Sequence, residues 1–255
     1  MSSSSHAIHA NAQESTPLLA HNDAEMGNAT PAFRSSSSST SAIIGRAFRD
    51  PGATLAQVGL VVNTGVLWRV LWTHPAGLFT YHPSFQSLAI LLFFEGVLLL
   101  QPPPVNAAAK KKGLQLHQIV QLTSLVLIVT GAAFIWYNKA VHNAKHIQTW
   151  HARFGVATLS LIFLQIIFGA FVVWSPLQRV FGSETRAKSL WKYHRMSGYL
   201  TLTLLLVTPA LALASDWVRL NSHAGERWAI GLGLALVAVG TVSRIQTGKL
   251  GLKRN

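Results

Sequence analysis

The sequence predicts an all-α integral membrane protein, a six-helix bundle behind a disordered N-terminal tail. Three observations predict it. Of the 255 residues, 50% are hydrophobic and only 11% are charged, against roughly 25% charged in an average soluble domain. The apolar residues are gathered into six long blocks, each with about the 20 residues needed to cross roughly 30 Å of hydrocarbon. Lysine and arginine concentrate in alternate connections between those blocks, as the positive-inside rule requires.

Residues 1–50 are rich in Ser, Ala and Asn and include the run Ser35 to Ser39. Such a segment buries too little apolar surface to offset its ordering entropy, so it is expected to be disordered. No apolar stretch follows a basic start, so it is not read as a secretory signal. The membrane domain is expected over 51–245, with spans near 53–73, 83–101, 114–136, 151–174, 194–215 and 226–243 and a short basic tail over 246–255. Pro102, Pro103 and Pro104 stop the second span, because proline cannot continue a helix.

With the N-terminus inside, the inner segments hold Arg34, Arg46, Arg49, Lys110, Lys111, Lys112, Arg179, Arg186, Lys188, Lys192, Arg195, Arg244, Lys249, Lys253 and Arg254. The outer side holds Lys139, Lys145, Arg153, Arg219 and Arg227, while Arg69 lies within the first span. This asymmetry places both termini in the cytosol. It also accounts for the net charge of +13 without a nucleic acid partner.

The chain has no cysteine, which removes disulfides, thiolate ligands, iron–sulfur clusters and covalent C-x-x-C-H haem attachment. Any bound iron must be held mainly by histidine. His82 opens span two, His117 span three, His151 span four and His194 span five. Successive spans run antiparallel, so these four sort into His82 with His151 at the outer face and His117 with His194 at the inner face. Two helices that each offer one imidazole at matched depth supply the two axial ligands of a haem iron. The bland reading of a helix-end histidine is a residue that reaches water or is simply hydrogen-bonded. On the inner side no other histidine lies near a span; on the outer side His74, His142, His146 and His223 are expected to be interfacial.

A local pattern recurs in spans four and five. Trp150-His151-Ala152-Arg153-Phe154-Gly155 and Tyr193-His194-Arg195-Met196-Ser197-Gly198 are both aromatic–His–x–x–x–Gly. The glycine shares a helix face with the histidine and leaves room for a flat macrocycle, or for close packing of helices. Spans two to five carry one such histidine each, which argues against two haems stacked between the same two helices. No G-x-G-x-x-G follows a strand, so flavin and nicotinamide machinery is not indicated.

Taken in order, these pieces resemble the eukaryotic cytochrome b-561 family, in particular its short, tumour-suppressor-type transmembrane reductase members. The matching segments are Tyr81-His82-Pro83, Glu95-Gly96-Val97-Leu98-Leu99, Lys112-Gly113-Leu114-Gln115-Leu116-His117, Thr149-Trp150-His151 through Gly155, and Trp191-Lys192-Tyr193-His194 through Gly198. The resemblance spans roughly residues 53–245. It implies two haem b groups on His82, His151, His117 and His194. It also implies transfer of electrons from cytosolic ascorbate to monodehydroascorbate or ferric iron on the other side. A homodimer is compatible with it. Many members carry a second histidine beside the one opening span three; here only His117 is present.

Haem propionates are anionic and favour arginine. Arg153 is placed for an outer haem, Arg195 for an inner one, and Arg69 lies near the outer face; the alternative for each is an interfacial arginine whose head reaches water. Lys110, Lys111, Lys112, Lys188 and Lys192, with Arg186, form a basic patch that would attract an anionic donor, or serve only topology and lipid contact. Glu95 is the one acidic residue inside a span, and is expected either to bond near the inner haem, to move protons, or to pack neutrally. Glu14-Ser15-Thr16-Pro17-Leu18-Leu19 has the form of an acidic dileucine sorting signal for an endosomal or vacuolar membrane. The competing readings are a cofactor-free transporter or structural membrane protein, and a b-type carrier serving a protein donor.

Overall fold

A computed structural model describes residues 39–174 and 184–246. Among these residues the elements are α1 (Thr40–Phe48), α2 (Pro51–Thr73), α3 (Leu78–Leu98), α4 (Ala107–Val141), α5 (Trp150–Trp174), α6 (Glu184–Ala212), α7 (Asp216–Asn221) and α8 (Ala224–Ser243). The chain is an all-α membrane bundle. Five helices (α2, α4, α5, α6 and α8) are long and apolar enough to cross a membrane. The sixth, α3, has 21 residues, and its lower hydropathy comes from His82, Ser84, Gln86, Ser87 and Glu95. Several of those polar groups are turned toward neighbouring helices, as described below.

The starts follow from local chemistry. Asp50 caps α2 by accepting from the N–H groups of Gly52 and Ala53 at 2.8 and 3.3 Å, with Pro51 at the first helical position, where no donor is needed. Asn106 caps α4 by accepting from Ala109 N at 2.7 Å. Gly77 enters α3 at φ +57°, a conformation that suits a residue without Cβ.

Three expectations are corrected. The tail expected to be disordered through residue 50 is helical over Thr40–Phe48. Ser39 caps this helix, and Ile43 and Ala47, one turn apart, are buried. Residues 1–38, with the dileucine sequence at 14–19, lie outside the described residues, as do Arg179, Lys249, Lys253 and Arg254. Helix α4 runs for 35 residues instead of the expected 114–136. Helix α6 begins at Glu184, well before His194. Hydropathy marks where a helix leaves the bilayer, not where its backbone ladder ends, so charged extensions such as Lys110 to Lys112 read as loops in the sequence.

The helices associate as three antiparallel pairs: α2 with α8, α3 with α4, and α5 with α6. The α2–α8 contact is backbone to backbone. A Cβ on Gly240 would sit 2.5 Å from Ala56 N and from Gly52 O, and one on Gly59 would collide with Gly233 O. Such small residues let helices approach where lipid supplies no hydrophobic drive between them. Asp50 and Arg244 close one end of this pair at 2.6 Å. Arg69 and Glu226 pair at the other.

The α3–α4 and α5–α6 hairpins touch each other only sparsely. They meet in a central apolar layer of Phe93, Phe94, Ile128, Ile162, Leu202 and Leu205, joined by Leu60 and Val237 from the flanking pair. Outward-facing Val61, Ile119, Leu164, Ile167 and Leu232 are exposed, as lipid-facing residues should be. Trp72, Trp136, Trp150 and Trp228 are exposed near one end of the bundle, the position of an interfacial aromatic belt.

Candidate functional site

At the end that carries these four exposed tryptophans, His82 stands near the start of α3 and His151 near the start of α5. Their ring centroids are 6.1 Å apart and the ring planes cross at 77°. His82 Nδ1 donates to Gly131 O in α4 at 2.9 Å. His151 Nδ1 donates to Thr208 O in α6 at 2.9 Å. A carbonyl can only accept, so each Nδ1 carries a proton, and Nε2 is the nitrogen that either ring could offer a metal.

At the other end, His117 Nδ1 donates to Gly96 O in α3 at 2.7 Å. His194 is within electrostatic reach of His117 and of Arg195. Its ring lies beside Phe168 and Trp191, at centroid distances of 6.2 and 6.3 Å. It also lies against Gly169, where an added Cβ would come within 2.8 Å of His194 Cε1. His194 Nδ1 is buried and has no hydrogen-bond partner among the described residues. His117 and His194 lie about three turns inside α4 and α6, not at their ends.

The spacing fits two axial imidazoles on one metal. With a metal–nitrogen bond of about 2 Å and about 1.1 Å from nitrogen to ring centre, two such rings have centroids about 6 Å apart. Among the described residues, no group of three or more His, Asp or Glu is arranged to hold a metal ion unaided. The His82–His151 pair thus has the separation of two nitrogen ligands on one metal, and any further ligand positions would have to come from a bound group.

The structure also shows a repeat that inspection of histidines alone passes over. His82, Gln86 and Gly96 in α3 recur as His117, Gln121 and Gly131 in α4, giving His-x3-Gln-x9-Gly twice. The two copies serve each other. Each histidine donates to the glycine carbonyl of the other helix, and each glutamine donates to a carbonyl one turn before that glycine. Gln86 Nε2 reaches Ile128 O at 3.0 Å, and Gln121 Nε2 reaches Phe93 O at 3.2 Å. The second hairpin repeats differently, as His151, Gly155, Thr158 and His194, Gly198, Thr201. Both threonines are buried, and Thr158 Oγ1 meets Thr208 Oγ1 at 3.0 Å. Gly198 is the floor for Gln165, whose Nε2 donates to His194 O at 2.5 Å. An added Cβ on Gly155 would lie 3.7 Å from Thr208 Cγ2, its one neighbour within 4 Å among the described residues.

The other sequence candidates separate. Arg195 lies beside His194 and Tyr199. Arg153 is exposed and stacks over Trp150 at 5.1 Å, next to His151. Arg69 is paired with Glu226, which also caps α8 by accepting from His223 N at 2.7 Å. Lys110, Lys111 and Lys112 are exposed on the first turns of α4. Lys192 lies over Tyr193 at 5.1 Å. The side chains of Arg186 and Lys188 fall outside the described residues. Glu95 lies against Gln57 of α2, and its neighbour Gly96 is the acceptor for His117. His142 bonds to Asn138 O in its own helix at 2.7 Å, His146 stacks on Trp136 at 4.1 Å, and His74 bonds to Thr73.

Comparison with known proteins gives the family. The family model described as eukaryotic cytochrome b561 matches residues 81–219. The chain is 28% identical over 162 residues to a probable transmembrane reductase, CYB561D1, of Mus musculus, covering 62% of this chain and 69% of that one. It is 26% identical over 168 residues to a transmembrane reductase, CYB561D2, of Bos taurus, covering 65% and 72%.

Proposed function

The chain belongs to the eukaryotic cytochrome b561 family, and on that premise we propose that it is a di-haem transmembrane reductase that carries single electrons out of the cytosol. The observation that carries this reading is the 6.1 Å separation of the His82 and His151 ring centroids, with each Nδ1 bonded to a carbonyl of another helix. His117 and His194 are the corresponding inner pair. Bound haem b supplies the one-electron chemistry, its iron alternating between ferric and ferrous.

The protein's own groups do the rest. The carbonyls of Gly131, Gly96 and Thr208 orient three of the imidazoles and strengthen them as donors. The layer around Phe93 and Phe94 excludes water between the two sites. Arg195 and Arg153 are placed for anionic propionates. Arg69 is held by Glu226 and serves the α2–α8 pair.

Ascorbate is the donor in this reading. It gives up one electron and a proton on the cytosolic side, near Lys110, Lys111, Lys112, Lys188 and Lys192, whose charge raises its encounter rate. The acceptor outside gains the electron: monodehydroascorbate returns to ascorbate with a proton, or ferric iron becomes ferrous. Both termini face the cytosol, where the Glu14 to Leu19 sequence directs the protein to an endosomal or vacuolar membrane.

The test is a haem assay with reduced-minus-oxidised spectra on the purified chain and on His82→Ala, His151→Ala, His117→Ala and His194→Ala. Two haem b per chain are expected in the parent and one in each variant. In oriented vesicles, ascorbate on the cytosolic side should no longer reduce His117→Ala or His194→Ala. A parent without haem, or any of the four variants keeping both, would overturn the reading.

A further inference from the structure

The repeated His-x3-Gln-x9-Gly unit contains a residue type to which the ligand scheme assigns no role. Gln86 lies one turn beyond His82 and Gln121 one turn beyond His117, on the same helix faces. Neither amide serves its own helix. Each crosses to the partner helix and donates to a carbonyl one turn away from the glycine carbonyl that receives the histidine. The glycines are shaped for this contact. A Cβ on Gly131 would meet Gln86 Nε2 at 2.9 Å, and one on Gly96 would meet Gln121 Nε2 at the same 2.9 Å. Histidine, glutamine and glycine therefore form one mount, built twice with matching contacts at opposite ends of one hairpin.

We propose that Gln86 and Gln121 are positioning residues: each locks the partner helix so that the glycine carbonyl stays aligned with the histidine Nδ1–H. Alignment matters because a carbonyl that accepts from Nδ1–H raises the donor strength of Nε2. A stronger axial donor favours ferric over ferrous iron. Each glutamine thus holds down the potential of its own site only, Gln86 at the His82 pair and Gln121 at the His117 pair. This inference rests on the histidine ligation proposed above.

The experiment uses the full chain with Gln86→Met and Gln121→Met, which keep side-chain length and remove the amide. Haem content, potentiometric titration and low-temperature electron paramagnetic resonance are read on each. Both variants should retain two haems. Gln86→Met should raise the midpoint and alter the low-spin signal of the haem that His82→Ala removes, leaving the other unchanged. Gln121→Met should do the same to the haem that His117→Ala removes. If a methionine variant does not assemble, Gln86→Asn or Gln121→Asn, with a shorter amide, should show a smaller shift at the same haem. Two retained haems with unshifted midpoints and signals, or equal shifts at both, would overturn the inference while leaving the ligation intact. Loss of the ligation itself would appear in the histidine variants instead.

Discussion

His82 and His151 sit on helices that are not neighbours in the chain, yet their rings lie 6.1 Å apart at 77°. Carbonyls on two different helices, Gly131 and Thr208, fix the two ring planes independently. Near-perpendicular axial imidazoles leave two iron d orbitals almost degenerate. A haem held between His82 and His151 as proposed would therefore give a low-spin resonance with one large g value, rather than the rhombic signal of parallel rings. Replacing Thr208, which holds the His151 ring by its backbone carbonyl, by Val should leave that signal in place. A rhombic outer signal in the parent protein would contradict the ring geometry.

Gly169 and Gly155 make a matched pair of tests in α5. An added methyl at 169 would press on the His194 ring at 2.8 Å, whereas at 155 the nearest atom is 3.7 Å away. On the proposed ligation, Gly169→Ala is expected to displace His194 and lower the haem content of the chain, whereas Gly155→Ala should leave it unchanged. Pyridine haemochrome assay of the two variants decides it, and equal haem in both would count against the inner site as described.

The α2–α8 contact predicts a stability effect apart from the haems. Gly240→Leu places a side chain against backbone atoms at 2.5 Å, while an added Cβ on Gly65 meets nothing within 4 Å among the described residues. Overpacking of this kind costs about 1–3 kcal/mol. Thermal unfolding in detergent should fall for Gly240→Leu and stay near the parent value for Gly65→Ala.

Asp50 gives the bundle an acid-sensitive clasp. Burial alone would push its carboxyl up, but the N–H groups of Ala53 and Gly52 and the Arg244 guanidinium outweigh that and hold it below the ordinary value. Its contribution is therefore complete above the unfolded value of about 3.9 and is lost as pH falls through the lower folded value. The side chain is 42% exposed, so solvent screens the ion pair and the cap is the larger part. Asp50→Ala should lose about 1 kcal/mol at neutral pH. That variant should also show a shallower stability decline below about pH 4 than the parent. A decline of equal slope in both would exclude Asp50 as its source.

Much of this was readable from residue order. Alternation of antiparallel spans is enough to sort four histidines into two pairs, because side chains at the starts of alternate spans share a membrane face. The mounts were less legible. Gly131, Gly96 and Thr208 act through backbone carbonyls, which every residue has, so side-chain chemistry does not mark them. The pairing of Gln86 with Ile128 and of Gln121 with Phe93 leaves only a repeat of similar residues at matching intervals. Arg69 looked available to an outer haem because Glu226, its partner, lies far along the chain and meets it only through α2–α8 packing.

Hydropathy, charge placement and helix-end histidines alone determine an all-α membrane bundle with histidines toward both ends, since lipid forces every backbone group into helix and leaves few polar positions. Tertiary structure decided which helices pair, that α4 and α6 run on past the apolar blocks, and which carbonyl each Nδ1 meets. Those outcomes depend on distances between helices, and such distances arise only when the glycine-lined faces close on one another.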